Sequence, residues 1–241
     1  MKYIVFILAL IVFSKLEAQL ADFDKVFQTQ QLVIVTSADW NTTKGTLSFY
    51  ESDARQQWKM LLKDVPIMLG RNGMAWGTGL QPSSLNTGEL KREGDGKSPA
   101  GIFRLTSLFS YGELESSTPH TKVDSTWYCV DDANSEYYNR IVSTTLVSKD
   151  WNSAEDMKRT DHQYKFGVVV AYNTEPVRKS AGSCIFIHIW KSPGETTAGC
   201  TSMTEANLLM LIHSLNKAKN PTLVQMPINE YNALKKLYKL P

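Results

Sequence analysis

The sequence predicts a mostly β domain whose helices come late in the chain. Three observations carry this. Six Trp, ten Tyr and nine Phe in 241 residues favour pleated, half-buried surfaces. Two short apolar runs, Phe166 to Tyr172 and Cys184 to Trp190, read as strands. The one clear helical period lies at 204 to 217.

Taken in order, Lys2 precedes an unbroken apolar run from Ile4 to Phe13. That is the length of a secretory h-region and too short to span a bilayer. Leu16-Glu17-Ala18 offers a small residue for cleavage, so residues 1–18 are expected to be a signal peptide and 19–241 a single domain. No stable membrane insertion is expected after cleavage. Gln31 to Thr36 and Gly45 to Glu51 are strand candidates joined by a polar turn, hence a hairpin. Trp58 to Leu62 and Val65 to Leu69 make a second expected pair. Residues 70–101 hold more than half of the fourteen glycines and should be mostly turns, with strand structure resuming at Gly101 to Leu105. Residues 106–163 are rich in Ser, Asp, Tyr and Asn and are expected to form a long excursion with short helices.

In Cys184 to Trp190, alternation places Ile185, Ile187 and Ile189 on one face and Cys184, Phe186, His188 and Trp190 on the other. The helix at 204–217 has Thr204 as N-cap, Met203 and Leu208 as a hydrophobic staple, and Leu208, Leu211, Ile212 and Leu215 as its apolar stripe. A short strand at Thr222 to Gln225 and a terminal helix near Asn229 to Lys239 complete the reading.

Lys and Arg total 26 against 24 Asp and Glu, net +2, which gives no electrostatic footprint for nucleic acid. Gly96-Lys97-Ser98 lacks the upstream glycine of a phosphate-binding loop, and there is no Gly-x-Ser-x-Gly elbow. His162 and His213 lie in no metal-ligand spacing with His188 and Cys200, so neither metal nor cofactor is expected. The cysteines are Cys129, Cys184 and Cys200, and an odd number leaves at least one thiol outside any internal pair. Cys129 with Cys184, leaving Cys200 free, is one arrangement; three separate buried thiols is the other.

The informative stretch is His188-Ile-Trp-Lys-Ser-Pro-Gly-Glu-Thr-Thr-Ala-Gly-Cys200. A His at a strand end, a loop with Pro193 and Gly194, and a Cys after Gly199 allow the loop to fold back on the imidazole. His188 could then take the thiol proton or hold the thiolate as an ion pair. Gly199 lets successive N–H groups turn toward one oxygen, as an oxyanion hole requires. The positive end of the following helix could stabilise the thiolate further. Phe186 and Trp190 beside His188 would form an apolar wall excluding water.

Several runs resemble one family. Glu93-Gly-Asp-Gly-Lys-Ser-Pro-Ala-Gly-Ile-Phe-Arg104, Gly70-Arg-Asn-Gly-Met74, Tyr128-Cys-Val-Asp-Asp132, Tyr137-Tyr-Asn139, Gly167-Val-Val-Val170, Gly182-Ser-Cys-Ile-Phe-Ile-His188 and Thr197-Ala-Gly-Cys200 are together similar to the catalytic domains of YkuD-like L,D-transpeptidases. The resemblance implies a β-sandwich-like catalytic fold, a periplasmic or cell-wall location and peptidoglycan stem peptides as donor and acceptor. It implies Cys200 as nucleophile, His188 as base and later acid, and Gly199 shaping the oxyanion site. The thiolate would attack the carbonyl of a diamino acid in the stem, forming a thioester that a side-chain amine resolves. Two positions depart from many members: Ala198 stands before Gly199 where they carry His, and Ser202 stands where they carry Arg. Arg71, Arg92, Arg178 and Lys191 are therefore the candidates to hold a donor carboxylate. Water as acceptor would make the same site a carboxypeptidase or amide hydrolase, and an unreactive Cys200 would leave a silent wall-binding domain.

Overall fold

The computed structural model describes residues 21–241 except 54 and 56; the expected signal peptide at 1–18 lies outside the described residues. The chain forms β1 (Ala21–Asp22), α1 (Phe23–Val26), β2 (Gln31–Ser37), β3 (Lys44–Ser52), β4 (Trp58–Met68), β5 (Met74–Trp76) and β6 (Ser98–Ser110). Four short strands follow: β7 (His120–Lys122), β8 (Trp127–Val130), β9 (Ile141–Ser143) and β10 (Ala154–Asp156). Then come β11 (Phe166–Val170), β12 (Phe186–Ile189), β13 (Thr201–Met203), α2 (Glu205–Ser214), β14 (Thr222–Pro227), α3 (Ile228–Leu234) and β15 (Tyr238–Lys239). The fold is mainly β with few short helices, as the aromatic content and alternation predict.

The main sheet runs β11-β12-β13-β4-β3-β2-β14-β6-β5, with β7 also on β6. β6 pairs with β11 as well, so the sheet closes into a sandwich-like barrel. The length of β6 makes this possible: Gly101 to Arg104 pair with β14, and Leu105 to Ser110 pair with β11. The β2–β3 hairpin forms in antiparallel register from Gln31↔Glu51 to Ser37↔Gly45. In α2, Thr204 accepts the Asn207 N–H as the expected N-cap, and Leu208, Leu211, Ile212 and Leu215 are buried.

The alternation in β12 separates two cores. Ile185, Ile187 and Ile189 join the main cluster inside the closed sheet. Cys184 and Phe186 join a second cluster with Phe109, Met157, Tyr164 and Cys200. The candidate site lies against this second cluster.

Three expectations are corrected. Trp58 to Leu62 and Val65 to Leu69 are not a hairpin but one strand, β4, in which Asp64 takes φ +47 and the pairing with β3 shifts register. The expected short helices in 106–163 are absent among the described residues; the end of β6 and β7 to β10 occupy the segment. Its Asp residues make turns instead: Asp124 Oδ1 accepts the Thr126 N–H at 2.8 Å and Asp132 Oδ1 accepts the Asn134 N–H at 2.9 Å. The terminal helix stops at Leu234, and Tyr238–Lys239 pair in parallel with Ala21–Asp22.

Candidate active site

Cys200 ends the loop that joins β12 to β13. These strands are parallel, so the chain must cross from the end of one to the start of the other, which residues 190–200 do. The register sets Ile187 beside Thr201 and His188 beside Ser202. Cys200 therefore comes level with Phe186, one diagonal step from His188.

The quoted motifs converge on this loop. Thr197 Oγ1 donates to the Cys200 carbonyl at 2.7 Å and accepts the Gly199 N–H at 3.1 Å. The Thr197 N–H donates to the Leu69 carbonyl, and the Arg71 N–H donates to the Thr197 carbonyl, both at 2.9 Å. Gly70 permits that approach, since a Cβ there would lie 2.4 Å from the Gly96 carbonyl oxygen. Gly199 has φ +155, and a Cβ on it would lie 3.0 Å from the Lys97 carbonyl oxygen. Asn139 Oδ1 accepts the Cys184 N–H at 2.9 Å, so the Tyr137-Tyr-Asn139 run positions the start of β12.

Cys129 and Cys184 form a disulfide, and Cys200 is the free thiol. Its side chain is buried; Sγ donates to the Cys184 carbonyl at 3.4 Å and accepts the Phe186 N–H at 3.3 Å. Burial, and next the negative charge of Glu155, push the thiol up to about 12.

His188 is buried as well. Its Nδ1 lies 2.8 Å from the Ile189 carbonyl oxygen, which can only accept, so Nδ1 carries the proton and Nε2 is the basic nitrogen. Burial lowers the imidazole to about 4. His188 and Cys200 line one cavity with Glu155, Arg159, Asp161 and Tyr164, without a hydrogen bond between them. Burial thus disfavours the charged form of both groups, which opposes a resting ion pair. The helix end expected to support a thiolate is also displaced: β13 separates Cys200 from α2.

A second cavity also reaches Cys200, lined by Arg71, Lys91, Glu93, Glu155, Ser183 and Gly199. Arg71 thus lines a cavity that Cys200 also lines. Lys191 lines the first cavity but pairs with Glu195 at 2.9 Å, and Arg92 and Arg178 line neither. Phe186 is buried beneath the site against Phe109 and Tyr164, and half-buried Trp190 lines neither cavity. The walls are accordingly more polar than the expected apolar screen. Ser202 is fully buried, so it does not stand in for the arginine of other members.

The sequence reading missed Lys91, Glu155 and Tyr164. Lys91 has a side chain only 4% exposed, held by Asp95 at 2.7 Å, and a Cβ on Gly199 would sit 3.6 Å from its Nζ. Lys91 stands in a segment of turns, where i, i+4 spacing to Asp95 carries no pairing signal. Glu155 and Tyr164 carry none, because only the tertiary fold brings them to the cavity of Cys200.

No curated protein and no solved structure gave a match. The family described as the YkuD L,D-transpeptidase catalytic domain matches residues 24–224, which spans the barrel, the excursion and the loop ending in Cys200. Its members are peptidoglycan-modifying enzymes that depend on a cysteine. With the motifs of that family gathered round one free thiol, the chain belongs to the YkuD L,D-transpeptidase catalytic-domain family.

Proposed function

We propose that the protein is an L,D-transpeptidase that cross-links or remodels peptidoglycan through a thioester on Cys200, acting outside the inner membrane after loss of residues 1–18. The observation that carries the reading is the free, buried Cys200 thiol sharing a cavity with an imidazole whose Nε2 is held unprotonated by the Nδ1–Ile189 hydrogen bond. The sulfur attacks the stem carbonyl and its proton passes to a neighbouring base, for which His188 Nε2 is the first candidate. The C–N bond breaks and the departing D-amino acid nitrogen is protonated by His188. An acceptor amine then attacks the thioester and releases the sulfur.

The Gly199 N–H is taken by Thr197, which leaves the Cys200 N–H as the oxyanion donor of this reading. Lys91 and Arg71 supply positive charge in the second cavity for a stem carboxylate.

Incubating the purified protein with tetrapeptide stems and resolving the products by mass tests the proposal. Cross-linked dimers are expected from the wild type and none from Cys200→Ala. Tripeptides alone would make the enzyme an L,D-carboxypeptidase. Equal labelling of wild type and Cys200→Ala by a carbapenem would rule out the catalytic reading.

A further inference from the structure

Apart from the two cavities at Cys200, a third, of about 260 Å³, is lined by Trp40, Asn41, Trp76, Glu89, Lys97 and Glu230. None of these residues lines either cavity at Cys200. Trp76 is only 3% exposed, yet its indole N–H meets no acceptor among the described residues. Ser202 Oγ is the only fully enclosed side-chain polar atom without a partner there, so the indole nitrogen is not sealed in protein and opens on this cavity. Gly88, in the cavity wall, keeps it open. A Cβ there would lie 3.4 Å from Trp76 Cδ1 and 3.6 Å from Nε1, and a longer side chain would cover the N–H.

The frame round the cavity is held by backbone bonds. The Met74 N–H donates to the Trp40 carbonyl, and the backbone N–H of Trp76 donates to the Glu89 carbonyl, both at 2.8 Å. Asp39 Oδ1 accepts the Asn41 and Thr42 N–H groups at 2.9 and 2.8 Å, which fixes the turn that carries Trp40. Trp40 is half-buried and meets Trp76 edge-on, with ring centroids 5.1 Å apart. A ligand that suits this wall needs an acceptor for the indole donor, an apolar face for Trp40, and hydroxyl or amide donors for the Glu89 and Glu230 carboxylates. Lys97 Nζ pairs with Glu89 at 3.2 Å, so two carboxylates face one ammonium and an anionic ligand is disfavoured. A bare cation offers the indole N–H no acceptor. A neutral sugar ring with an acetamido group meets all three needs. The volume lies just below the range of about 300–1,000 Å³ for drug-sized ligands, which suits one ring rather than a chain.

We propose that this cavity binds one neutral acetamido sugar, whose carbonyl oxygen accepts from the Trp76 indole N–H while a ring face rests on Trp40. Binding is non-covalent and Cys200 takes no part in it. The two sites are nonetheless joined through Lys97. Its carbonyl oxygen would lie 3.0 Å from a Cβ on Gly199, and the next residue, Ser98, donates to the Cys200 carbonyl at 3.1 Å. A polymer that bears both acetamido sugars and peptide stems meets the two sites on adjoining segments of the chain. That choice of polymer rests on the peptidoglycan reading of Cys200, whereas the class of sugar rests on the cavity alone.

The test is titration of the isotope-labelled protein with triacetylchitotriose, read on the indole N–H resonances by NMR. The six tryptophans give one such resonance each, and that of Trp76 is the one missing from Trp76→Phe. It should move to lower field as the sugar binds, with a dissociation constant near or below about 1 mM. Cellotriose, which has hydroxyls in place of the acetamido groups, should bind at least about threefold more weakly. Trp40→Ala should weaken binding about tenfold or more by removing the ring surface. Gly88→Leu, at an exposed position with room for a Cβ, should do the same by covering the N–H. Cys200→Ala should bind as the wild type does. The proposal falls if the Trp76 resonance is unmoved at about 20 mM sugar, if cellotriose binds equally well, or if Gly88→Leu binds as the wild type does. Movement of that resonance by cadaverine and not by the sugar would make the cavity an amine site and also overturn it. If Trp76→Phe fails to fold, sequential assignment identifies the resonance and Gly88→Leu still decides. Sugar binding with no turnover of stems would keep this site and remove the peptidoglycan reading of Cys200. Stem turnover with an unmoved Trp76 resonance would do the reverse.

Discussion

Ser98 and Cys200, 102 positions apart, are joined directly: the Ser98 hydroxyl donates to the Cys200 carbonyl at 3.1 Å. The Ser98 hydroxyl oxygen also accepts the Gly70 N–H at 2.9 Å. One buried hydroxyl thus connects the glycine-rich segment, the first residue of β6 and the nucleophile. Ser98→Ala would leave the Gly70 N–H unpaired in a buried place, at a cost of about 1–3 kcal/mol. Urea midpoints should fall accordingly, and acylation of Cys200 should slow more than the stability loss alone predicts, because the loop bearing the sulfur loses an anchor.

Gly70→Ala should be worse. The new methyl would meet the Gly96 carbonyl oxygen at 2.4 Å and the Ser98 nitrogen at 2.8 Å, both backbone atoms. Separation of the two segments is the only relief, at roughly 2–3 kcal/mol. Thermal unfolding checks the loss, and an unchanged melting temperature would show that the contact is not tight in solution.

Reduction should loosen the excursion. The disulfide closes a sequence separation of 55 residues, for which chain entropy gives about 4 kcal/mol. Cys129→Ala should lower the denaturation midpoint by a comparable amount. It should also weaken carbapenem labelling of Cys200, since the Cys184 carbonyl accepts from the nucleophile.

Stability should depend on pH through two opposed groups. His188 titrates at about 4 in the fold against 6.5 in a free chain, so between those values the unfolded chain binds a proton that the fold does not. Its contribution is complete above pH 6.5 and is lost as pH falls toward 4, by up to about 3 kcal/mol. Glu155 is raised from 4.5 to about 7, so its contribution is complete below 4.5 and is lost as pH rises through 7. His188→Ala should therefore flatten the acid loss seen in urea midpoints between pH 6.5 and 4. Glu155→Gln should steepen the gain on raising pH over the same range.

The local pattern was a good guide where the physics is local. The alternation of Cys184 to Trp190 assigned Ile187 to one core and Phe186 and His188 to the other face, and the structure keeps that division. The cap at Thr204 and the stripe of α2 were legible for the same reason. The excursion was misread because Asp and Ser serve helix caps and turns alike, and which they form depends on partners far away. Trp190 and Phe186 were read as a cleft wall on their face alone; how deep that face lies is not a local property.

By itself the sequence determined the strand-rich class, the faces of β12 and the order of family motifs ending at Cys200, because side-chain alternation and chain order are carried by neighbours. Tertiary structure alone decided that Cys129 meets Cys184, that Ser98 holds the Cys200 carbonyl, and that Glu155 and Tyr164 line the cavity of Cys200. It also decided that burial disfavours the charged forms of thiol and imidazole. The reason is physical: the loss of water and the approach of a distant charge set protonation, and both arise only when segments far apart in the chain close over the same atom.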